Sequence, residues 1–305
     1  MLRLCRFFNS GAIPGVKVAV IGSAGQLGTD LCQAFSNAGH RVIPLSHANI
    51  EVTDQDSVKK SLWGHRPECV VNCAAYVQVD QAEDDVETAF RVNAFGALKV
   101  ARVCAELEAL CIYVSTDYVF DGEKVEPYTE EDIPRPLNVY GASKLAGEYL
   151  VQQACPNWMI VRVASLFGRT WARGKGGNFI ETILAKARTG ERLTVVSDTR
   201  ISPTYTRDAA GAIVSLANDP APSIVHVTNS VAGICSWYVL AKKAADLCRL
   251  DATIEPISAD TYPMRAARPR NSALNGRRAA KLLGHPLPDW EDALNRYLNE
   301  KGYLV

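Results

Sequence analysis

A hydroxyl, a phenol and an ammonium occur in an order that suits proton delivery to a carbonyl oxygen. Thr116 lies in Ser115-Thr116-Asp117-Tyr118, and Tyr140 and Lys144 follow in Tyr140-Gly141-Ala142-Ser143-Lys144. A tyrosine and a lysine at this spacing share one face of a helix, so the ammonium can lie near the phenol. The cation is then expected to lower the pKa of the phenol from its usual value of about 10. Thr116 is expected to hydrogen-bond the same oxygen, where negative charge develops as hydride arrives.

A glycine-rich turn follows the first predicted strand. The apolar run 16–21 leads directly into Gly22-Ser23-Ala24-Gly25-Gln26-Leu27-Gly28, and apolar residues then recur at helical spacing up to Gly39. Glycines let the backbone approach a pyrophosphate, whose charge a helix N-terminus favours. The spacing is G-x2-G-x2-G, so an ordinary structural turn is the alternative. The strand before it and the helix after it favour a dinucleotide site.

Further strand-like runs alternate with helical patterns. Strands are predicted at 41–45, 69–72, 110–114 and 159–163, and helices at 54–63, 87–107 and 141–153. This alternation predicts an α/β fold with a Rossmann-like, doubly wound parallel sheet that helices cover on both faces. The glycine loop, residues 72–76 and residues 115–117 all follow strand ends, where ligands bind in such sheets. We expect them to meet in one crevice.

Several longer runs, in this order, resemble the extended short-chain dehydrogenases/reductases and, within them, the dTDP-4-dehydrorhamnose reductase family. The resemblance extends from residue 16 to the C-terminus. It rests on Gly25-Gln26-Leu27-Gly28 and on the runs 71–76, 79–83, 115–122, 136–148, 268–275 and 288–290.

The resemblance implies an NAD(P)-dependent oxidoreductase that uses NADPH or NADH to reduce the C4 ketone of a nucleotide-linked 4-keto-6-deoxysugar, giving dTDP-L-rhamnose. It implies catalysis by Thr116, Tyr140 and Lys144, with Tyr140 as proton donor. The cofactor-binding residues that it implies are Gly22, Gly25, Gln26, Leu27, Gly28, Glu51, Val52, Ala74, Ala75, Tyr76, Tyr140 and Lys144. The substrate-binding residues are Thr116, Asp117, Tyr118, Asn178 and Arg268, with Lys175 and Arg270 as further candidates for the diphosphate.

The residue after Asp117 argues against related chemistries. Sugar-nucleotide dehydratases of this superfamily carry an Asp-Glu pair after the threonine, whereas Tyr118 stands in the second position here. Epimerases of the GDP-fucose type place a cysteine just after the Ser/Thr, and no cysteine lies between Cys111 and Cys155. One departure leaves the sugar open, because Ser165 stands where the reductases commonly carry a tryptophan.

Cofactor preference and assembly depend on other positions. After the second strand, Ser46-His47 supplies neither a carboxylate for NAD nor a fixed cation for NADP. Some family members dimerise through a magnesium ion held by glutamates, but the matching positions here are Asp30 and Arg207. We expect no metal site, and any homodimer is expected to form without one.

The chain is predicted to divide into two interleaved parts. Residues 16–167 form the dinucleotide-binding domain, to which 205–228 return. Residues 168–204 and 229–305 form the smaller substrate-binding domain. Residues 1–15 are an N-terminal extension, either a short presequence or a flexible start.

Composition suits an enzyme that we expect in the cytoplasm, and the resemblance implies a nucleotide-sugar as its partner. The 305 residues are 48% hydrophobic, and 33 basic side chains balance 33 acidic ones. This balance argues against nucleic-acid or membrane binding as the main activity. The nine cysteines contain no C-x2-C pair, which favours a reducing compartment over disulfides or zinc.

A hypothesis from a different class stays open. The chain also resembles the β subunit of methionine adenosyltransferase, a regulatory protein that shares this fold, retains a dinucleotide site and acts through a partner synthetase. Thr116, Tyr140 and Lys144 are all present, which favours catalysis. Ser165 gives the regulatory alternative some weight.

Overall fold

The computed structural model describes residues 15–171, 177–218 and 220–304. Its strands are β1 (Lys17–Ile21), β2 (Arg41–Leu45), β3 (Cys69–Asn72), β4 (Leu110–Thr116), β5 (Trp158–Val163), β6 (Leu166–Phe167), β7 (Leu193–Val196), β8 (Thr204–Tyr205), β9 (Ser223–His226) and β10 (Ile254–Ile257). Its α-helices are α1 (Gln26–Asn37), α2 (Gln55–His65), α3 (Val79–Ala82), α4 (Val86–Phe90), α5 (Ala97–Glu106), α6 (Val139–Ala154), α7 (Phe179–Arg188), α8 (Thr206–Ala217), α9 (Trp237–Leu247), α10 (Arg277–Leu283) and α11 (Trp290–Glu300).

Six parallel strands form the central sheet in the order β2-β1-β3-β4-β5-β9. Their apolar, β-branched residues are buried on both faces, as in β3 and β4, where every residue is buried. The chain changes direction across the sheet between β1 and β3, which creates the crevice where ligands bind in such folds. The predicted Rossmann-like, doubly wound fold is confirmed.

Helices cover the two faces of the sheet with separate apolar cores. On one face, Leu31 and Phe35 of α1 pack with Ile213 of α8 against the strands. On the other face, Leu62 of α2 and Val100 of α5 do the same. Helices α4 and α5 are joined by a π-helical turn at Arg91–Gly96. Across the described ranges, no helix combines the length and apolarity needed to cross a bilayer.

The second part of the molecule is built on the short parallel pair β7–β10 and on helices α7, α9 and α11. Its core includes Leu184 of α7, Leu240 of α9 and Leu294 of α11. Helix α8 and strand β9 return to the main sheet. Helix α10 also packs there, because Ala279 lies in the core of the main sheet. The division of the chain into two domains, with its boundaries, stays a prediction.

Gly147 is a position where α6 comes very close to the elements beneath it. A Cβ atom there would overlap the Asn93 carbonyl oxygen and lie 2.5 Å from Tyr113 Oη, so α6 would have to move away. We predict that Gly147→Ala lowers the free energy of unfolding by about 2 kcal/mol, a typical cost of overpacking. Urea denaturation measures this.

Gly211→Ala in α8 is the matched control. A Cβ there meets nothing within 4 Å, and alanine favours a helix interior by up to about 1 kcal/mol, so stability should rise slightly. Equal stabilities for Gly147→Ala and the wild type would contradict the packing argument.

Candidate active site

The glycine-rich turn joins β1 to α1 at the point where the strand order reverses. Gly22 has a φ of +79°, a conformation that glycine adopts readily. A Cβ at Gly28 would overlap the Gly22 carbonyl oxygen, and one at Gly22 would lie 3.1 Å from Ala74 N. Helix α1 begins at Gln26 without a side-chain cap and without an acidic residue in its first turn. Its backbone N–H groups therefore remain available to an anion, and the loop fits a pyrophosphate.

The side chains of two residues in this loop have structural contacts instead. Gln26 Nε2 donates to the Leu166 carbonyl at 3.2 Å, and Leu27 is buried in the core. The predicted contacts of Gln26 and Leu27 with a diphosphate would therefore come from their backbone N–H groups.

The loop after β3 is held by a buried asparagine. Asn93, in the π-helical turn, accepts from Tyr76 N at 2.8 Å and donates to the Tyr76 carbonyl at 3.1 Å. Its amide also donates to Ser143 Oγ at 2.9 Å, next to Lys144. Asn93 thus ties the Ala74-Ala75-Tyr76 segment to the helix that carries Lys144. Sequence reasoning missed Asn93, although an amide inside an otherwise apolar helical run was a usable signal.

Glu51 and Val52 lie in the segment that follows β2. Glu51 Oε1 accepts from Thr53 N at 2.9 Å, and Glu51 Oε2 lies 3.0 Å from His47 Nε2. Although partial burial opposes it, these hydrogen bonds and the neighbouring His47 hold the pKa of Glu51 below its usual value. Val52 is buried, and a Cβ at Gly96 would lie 3.0 Å from its side chain. His47, considered above for cofactor preference, is therefore paired with a carboxylate.

Thr116, Tyr118 and Tyr140 come together where β4 ends and α6 begins. Asn138 caps α6 by accepting from Gly141 N at 2.8 Å, and a Cβ at Gly141 would overlap the Tyr118 carbonyl. This close approach sets the ring of Tyr118 edge-on to that of Tyr140, with centroids 6.0 Å apart. The Thr116 hydroxyl is near enough to the Tyr140 phenol to affect its pKa by hydrogen bonding.

Lys144 lies one turn further along α6 and is buried. Its Nζ donates to the Val114 carbonyl at 2.6 Å and lies 4.0 Å from the centroid of the Tyr113 ring. Burial lowers the pKa of Lys144 to about 7, an effect that the negative charge of Glu148 opposes.

The expected depression of the phenol pKa is not found. Burial raises the pKa of Tyr140 above its usual value, and the Thr116 hydroxyl offsets only part of this rise. The expectation was wrong because desolvation of the phenolate outweighs any attraction from Lys144, whose Nζ is directed at the Val114 carbonyl.

Asp117 is a buried carboxyl group beside Thr116. Its Oδ1 accepts from Thr116 Oγ1 at 3.0 Å, and its Oδ2 has no hydrogen-bond partner among the described residues. Burial raises the pKa of Asp117 to about 6, although the nearby Ser272 hydroxyl opposes the rise. Thr116 Oγ1 thus contacts Asp117, and its predicted hydrogen bond to a substrate carbonyl stays a prediction.

The two arginines among the predicted phosphate-binding cations are both paired with carboxylates. Arg268 meets Asp80 through two hydrogen bonds of 2.6 and 2.7 Å, and its charge also acts on the Tyr118 hydroxyl. Arg270 pairs with Asp198 at 2.6 Å and with Asp260. Arg268 therefore lies near Tyr118, where Asp80, which sequence reasoning missed, holds it. Substrate binding by either arginine stays a prediction.

Asn178 has a structural role at the start of α7. Its Oδ1 accepts from Glu181 N at 3.0 Å, and its Nδ2 donates to Tyr297 Oη at 2.8 Å and to the Gly168 carbonyl at 3.3 Å. These bonds use the amide within the protein, so the structure gives no support to substrate binding by Asn178. Lys175 lies outside the described residues.

The other departures from the reductase pattern can also be located. Ser165 follows β5 with a φ of +43°, and its carbonyl accepts from Thr204 N at 3.2 Å. Asp30 accepts from Thr206 Oγ1 at 2.5 Å, and Arg207 lies 3.3 Å from Glu300. Within the described ranges, no three metal-ligating side chains cluster. The absence of a metal-mediated dimer stays a prediction.

Comparison with known proteins agrees with this geometry. The family described as "RmlD substrate binding domain" matches residues 16–302. The dTDP-4-dehydrorhamnose reductase of Mycolicibacterium smegmatis is 35% identical, over 91% of this chain and 84% of that protein. The chain belongs to the dTDP-4-dehydrorhamnose reductase family. The resemblance to extended short-chain dehydrogenases/reductases is thereby confirmed, and the chain is an NAD(P)-dependent oxidoreductase, as predicted.

Two further proteins that are similar to this chain are informative. The spore coat polysaccharide biosynthesis protein SpsK of Bacillus subtilis is 39% identical, over 93% of this chain and 98% of that protein. The crystal structure of the Bacillus anthracis reductase in complex with NADP superposes with a TM-score of 0.88 at 34% identity, covering 94% of this chain and 99% of that one. The NADP in that structure agrees with the predicted NADPH or NADH cofactor.

The raised pKa of Asp117 predicts how the free energy of unfolding changes with pH. Its pKa in the folded protein, about 6, lies above the ordinary value of 3.8, so the folded state binds this proton more tightly than the unfolded chain does. The group therefore costs stability progressively as pH rises from about 4 through 6. Asp117→Asn removes that cost, and its stability relative to the wild type should improve by about 2 kcal/mol between pH 4 and pH 7.5.

Urea denaturation at the two pH values measures this difference. Asp246→Asn, a change at a side chain that is 60% exposed, serves as control and should show little pH dependence. The same relative stability of Asp117→Asn at both pH values would rule out a buried carboxyl with a raised pKa.

Proposed function

We propose that this chain reduces the C4 ketone of a nucleotide-linked 4-keto-6-deoxysugar, with NADPH or NADH as cofactor and dTDP-L-rhamnose as product. The observation that carries the proposal is that Thr116, Tyr140 and buried Lys144 meet where β4 ends and α6 begins. These groups belong to the same sheet edge as the glycine turn that fits a pyrophosphate. Family membership supports reduction of a sugar-nucleotide ketone as the type of reaction.

Tyr140 is the proposed proton donor. When bound, the nicotinamide supplies the hydride. The raised pKa of Tyr140 keeps its Oη protonated at neutral pH, so the proton is present when negative charge develops on the substrate oxygen. Lys144, with a pKa of about 7, can exchange a proton in the same pH range and would also bind the ribose of the cofactor.

Thr116 would hydrogen-bond the same substrate oxygen, under the control of Asp117. An ionised Asp117 attracts the Thr116 proton, as the 3.0 Å bond indicates. A protonated Asp117 can instead donate to Thr116 Oγ1 and free the hydroxyl proton for the substrate. The raised pKa of Asp117, about 6, makes this second state accessible near neutrality.

The remaining binding roles are proposed from the positions found above. Gly22, Gly25 and Gly28 would hold the diphosphate through the backbone, with Ala74, Ala75 and Tyr76 beside them. Glu51 and Val52 would lie toward the adenine. Tyr118 and the Arg268–Asp80 pair would contact the sugar nucleotide, with β7, β10 and their helices forming most of the substrate-binding part.

The proposed setting is the cytoplasm, because the cysteines of the described residues are all free thiols. The proposed partner is the nucleotide-sugar, and neither nucleic acid nor membrane is required. A homodimer, if formed, would use no metal.

Tyr140→Phe separates catalysis from binding. Only the transferable proton is removed, so we expect turnover to fall by about 10²–10⁴-fold while NADPH affinity stays nearly unchanged. The assay follows nicotinamide absorbance with a dTDP-4-keto-6-deoxysugar, and NADPH binding is measured by titration. Lys144→Ala is the contrasting variant and should damage both quantities.

Tyr149→Phe is the matched control, since Tyr149 is 55% exposed on the same helix and should turn over normally. Normal turnover by Tyr140→Phe would refute the proton donor. NADPH binding by the wild type without oxidation by any dTDP-4-keto-6-deoxysugar would refute the proposed reaction.

A further inference from the structure

A buried ion pair joins α6 to β5. Glu148 of α6 and Arg162 of β5 have side chains that are only 1% and 2% exposed. They form a two-pronged pair, with Arg162 Nη2 2.7 Å from Glu148 Oε2 and Arg162 Nε 2.9 Å from Glu148 Oε1. Ser115, next to the catalytic Thr116, donates to Glu148 Oε1 at 2.5 Å. The carboxylate is thus fully engaged from two strands of the sheet.

Glu148 also lies in line with the catalytic residues. Tyr140, Lys144 and Glu148 occupy successive turns of one face of α6. The charge of Glu148 acts on Lys144 and opposes the desolvation that lowers the pKa of this lysine. Among the described residues, the Cys73 thiol is the other group that favours the Lys144 cation, but burial raises the pKa of this thiol to about 12, so it is neutral near pH 7. Glu148 is therefore the main carboxylate that stabilises the Lys144 cation.

Among the described residues, the other groups in direct contact with Lys144 and Arg162 are aromatic rings and a backbone carbonyl. A further carboxyl group near the cluster, Glu130, accepts from His226 N at 2.8 Å. The Tyr113 ring of β4 faces Lys144 at 4.0 Å, and burial keeps its phenol protonated by raising its pKa. His226 of β9 lies 3.4 Å from Arg162 Nη1. Burial and the Arg162 charge lower the pKa of His226 to about 3, so the ring is neutral. The Phe120 ring packs 5.1 Å from the guanidinium. These surroundings leave Glu148 as the counter-charge for both Arg162 and Lys144.

Packing alone does not account for such a pair. Removing two charges from water is costly, and apolar residues of similar volume often give equal or greater stability. An ion pair can set the charge of a neighbouring functional group, and an apolar replacement could not.

We propose that Glu148 is a positioning residue that keeps Lys144 in its ammonium form, and that Arg162 keeps Glu148 ionised and correctly oriented for this purpose. The inference rests on the proposed function for its catalytic consequence. Its physical core, a dependence of the Lys144 charge on Glu148, does not require turnover. Without the Glu148 charge, desolvation acts on Lys144 with little opposition, and the amine should become neutral at a lower pH.

The direct test is an NMR titration of the full-length protein carrying ¹³Cε-labelled lysine, with the Lys144 signal assigned from Lys144→Arg. Glu148→Gln keeps the shape of the side chain but removes its charge, so the titration midpoint of Lys144 should fall by about one pH unit or more. Glu148→Asp keeps the charge and should stay closer to the wild type. Glu191→Gln is the matched control, because Glu191 pairs with Lys186 at the surface, and it should leave Lys144 unchanged.

The second test is the pH profile of kcat/KM for NADPH-dependent reduction. In the pH profile of Glu148→Gln, the part of the curve that reflects titration of Lys144 should shift in the same direction as the NMR midpoint. A merely structural role of Glu148 would not produce this shift. If unpaired Arg162 prevents Glu148→Gln from folding, Glu148→Gln/Arg162→Met removes both charges and should fold; its Lys144 midpoint should still lie below the wild-type value but fall less than in Glu148→Gln, because loss of the Arg162 cation partly offsets loss of the carboxylate.

An unchanged Lys144 midpoint in a folded Glu148 variant would overturn the proposal. So would a loss of thermal stability with an unaltered pH profile. Failure of the proposed reaction would look different, because wild-type protein would then bind NADPH without oxidising it while the NMR midpoints still moved as expected.

Discussion

Desolvation of polar groups between α6 and β4 is the constraint on which the active site depends. Lys144 is buried there, with the Val114 carbonyl, the Tyr113 ring and the charge of Glu148 to compensate it. The same burial raises the pKa of Tyr140 and of Asp117. Each group is therefore driven toward its neutral form, which keeps Tyr140 protonated at neutral pH and brings Lys144 and Asp117 close to titrating there. An exposed arrangement of the same residues would have ordinary pKa values and no such property.

Close backbone packing creates this buried layer. Gly141 and Gly147 bring α6 against Tyr118 and against the Asn93 turn, and no other residue type fits at these contacts without displacement. Gly22 and Gly28 do the same for α1 and the loop after β3. The two helices that carry the proposed cofactor and proton-transfer groups are thus held by glycine contacts with neighbouring loops and turns.

The sequence predicted the features that depend on local pattern. Strands β2 and β3 have the predicted bounds, because an apolar run can be recognised from consecutive residues. The meeting of the glycine loop, the loop after β3 and Thr116 was also predictable, since parallel strands end at one edge. The order of strands follows from the fold class, which the alternation of elements indicates.

The features that the sequence could not supply depend on contacts between distant residues. Arg268 looked like a free phosphate-binding cation because its partner, Asp80, is 188 positions away. Asn178 looked like a substrate ligand, but it caps a helix and meets Tyr297. The direction of the Tyr140 pKa was wrong because spacing reveals a neighbouring lysine and does not reveal how deeply both groups are buried. Glu148 and Arg162 could not be paired from sequence for the same reason.

The central claim is that the reacting ketone sits against Tyr140, and a crystal structure with NADP and a dTDP-linked sugar tests it most directly. The account predicts the sugar C4 oxygen within about 2.6–3.2 Å of Tyr140 Oη, the range of a productive proton transfer, with the nicotinamide on the opposite side of that carbon. A sugar bound with its C4 oxygen away from Tyr140, or a nicotinamide remote from α6, would contradict it.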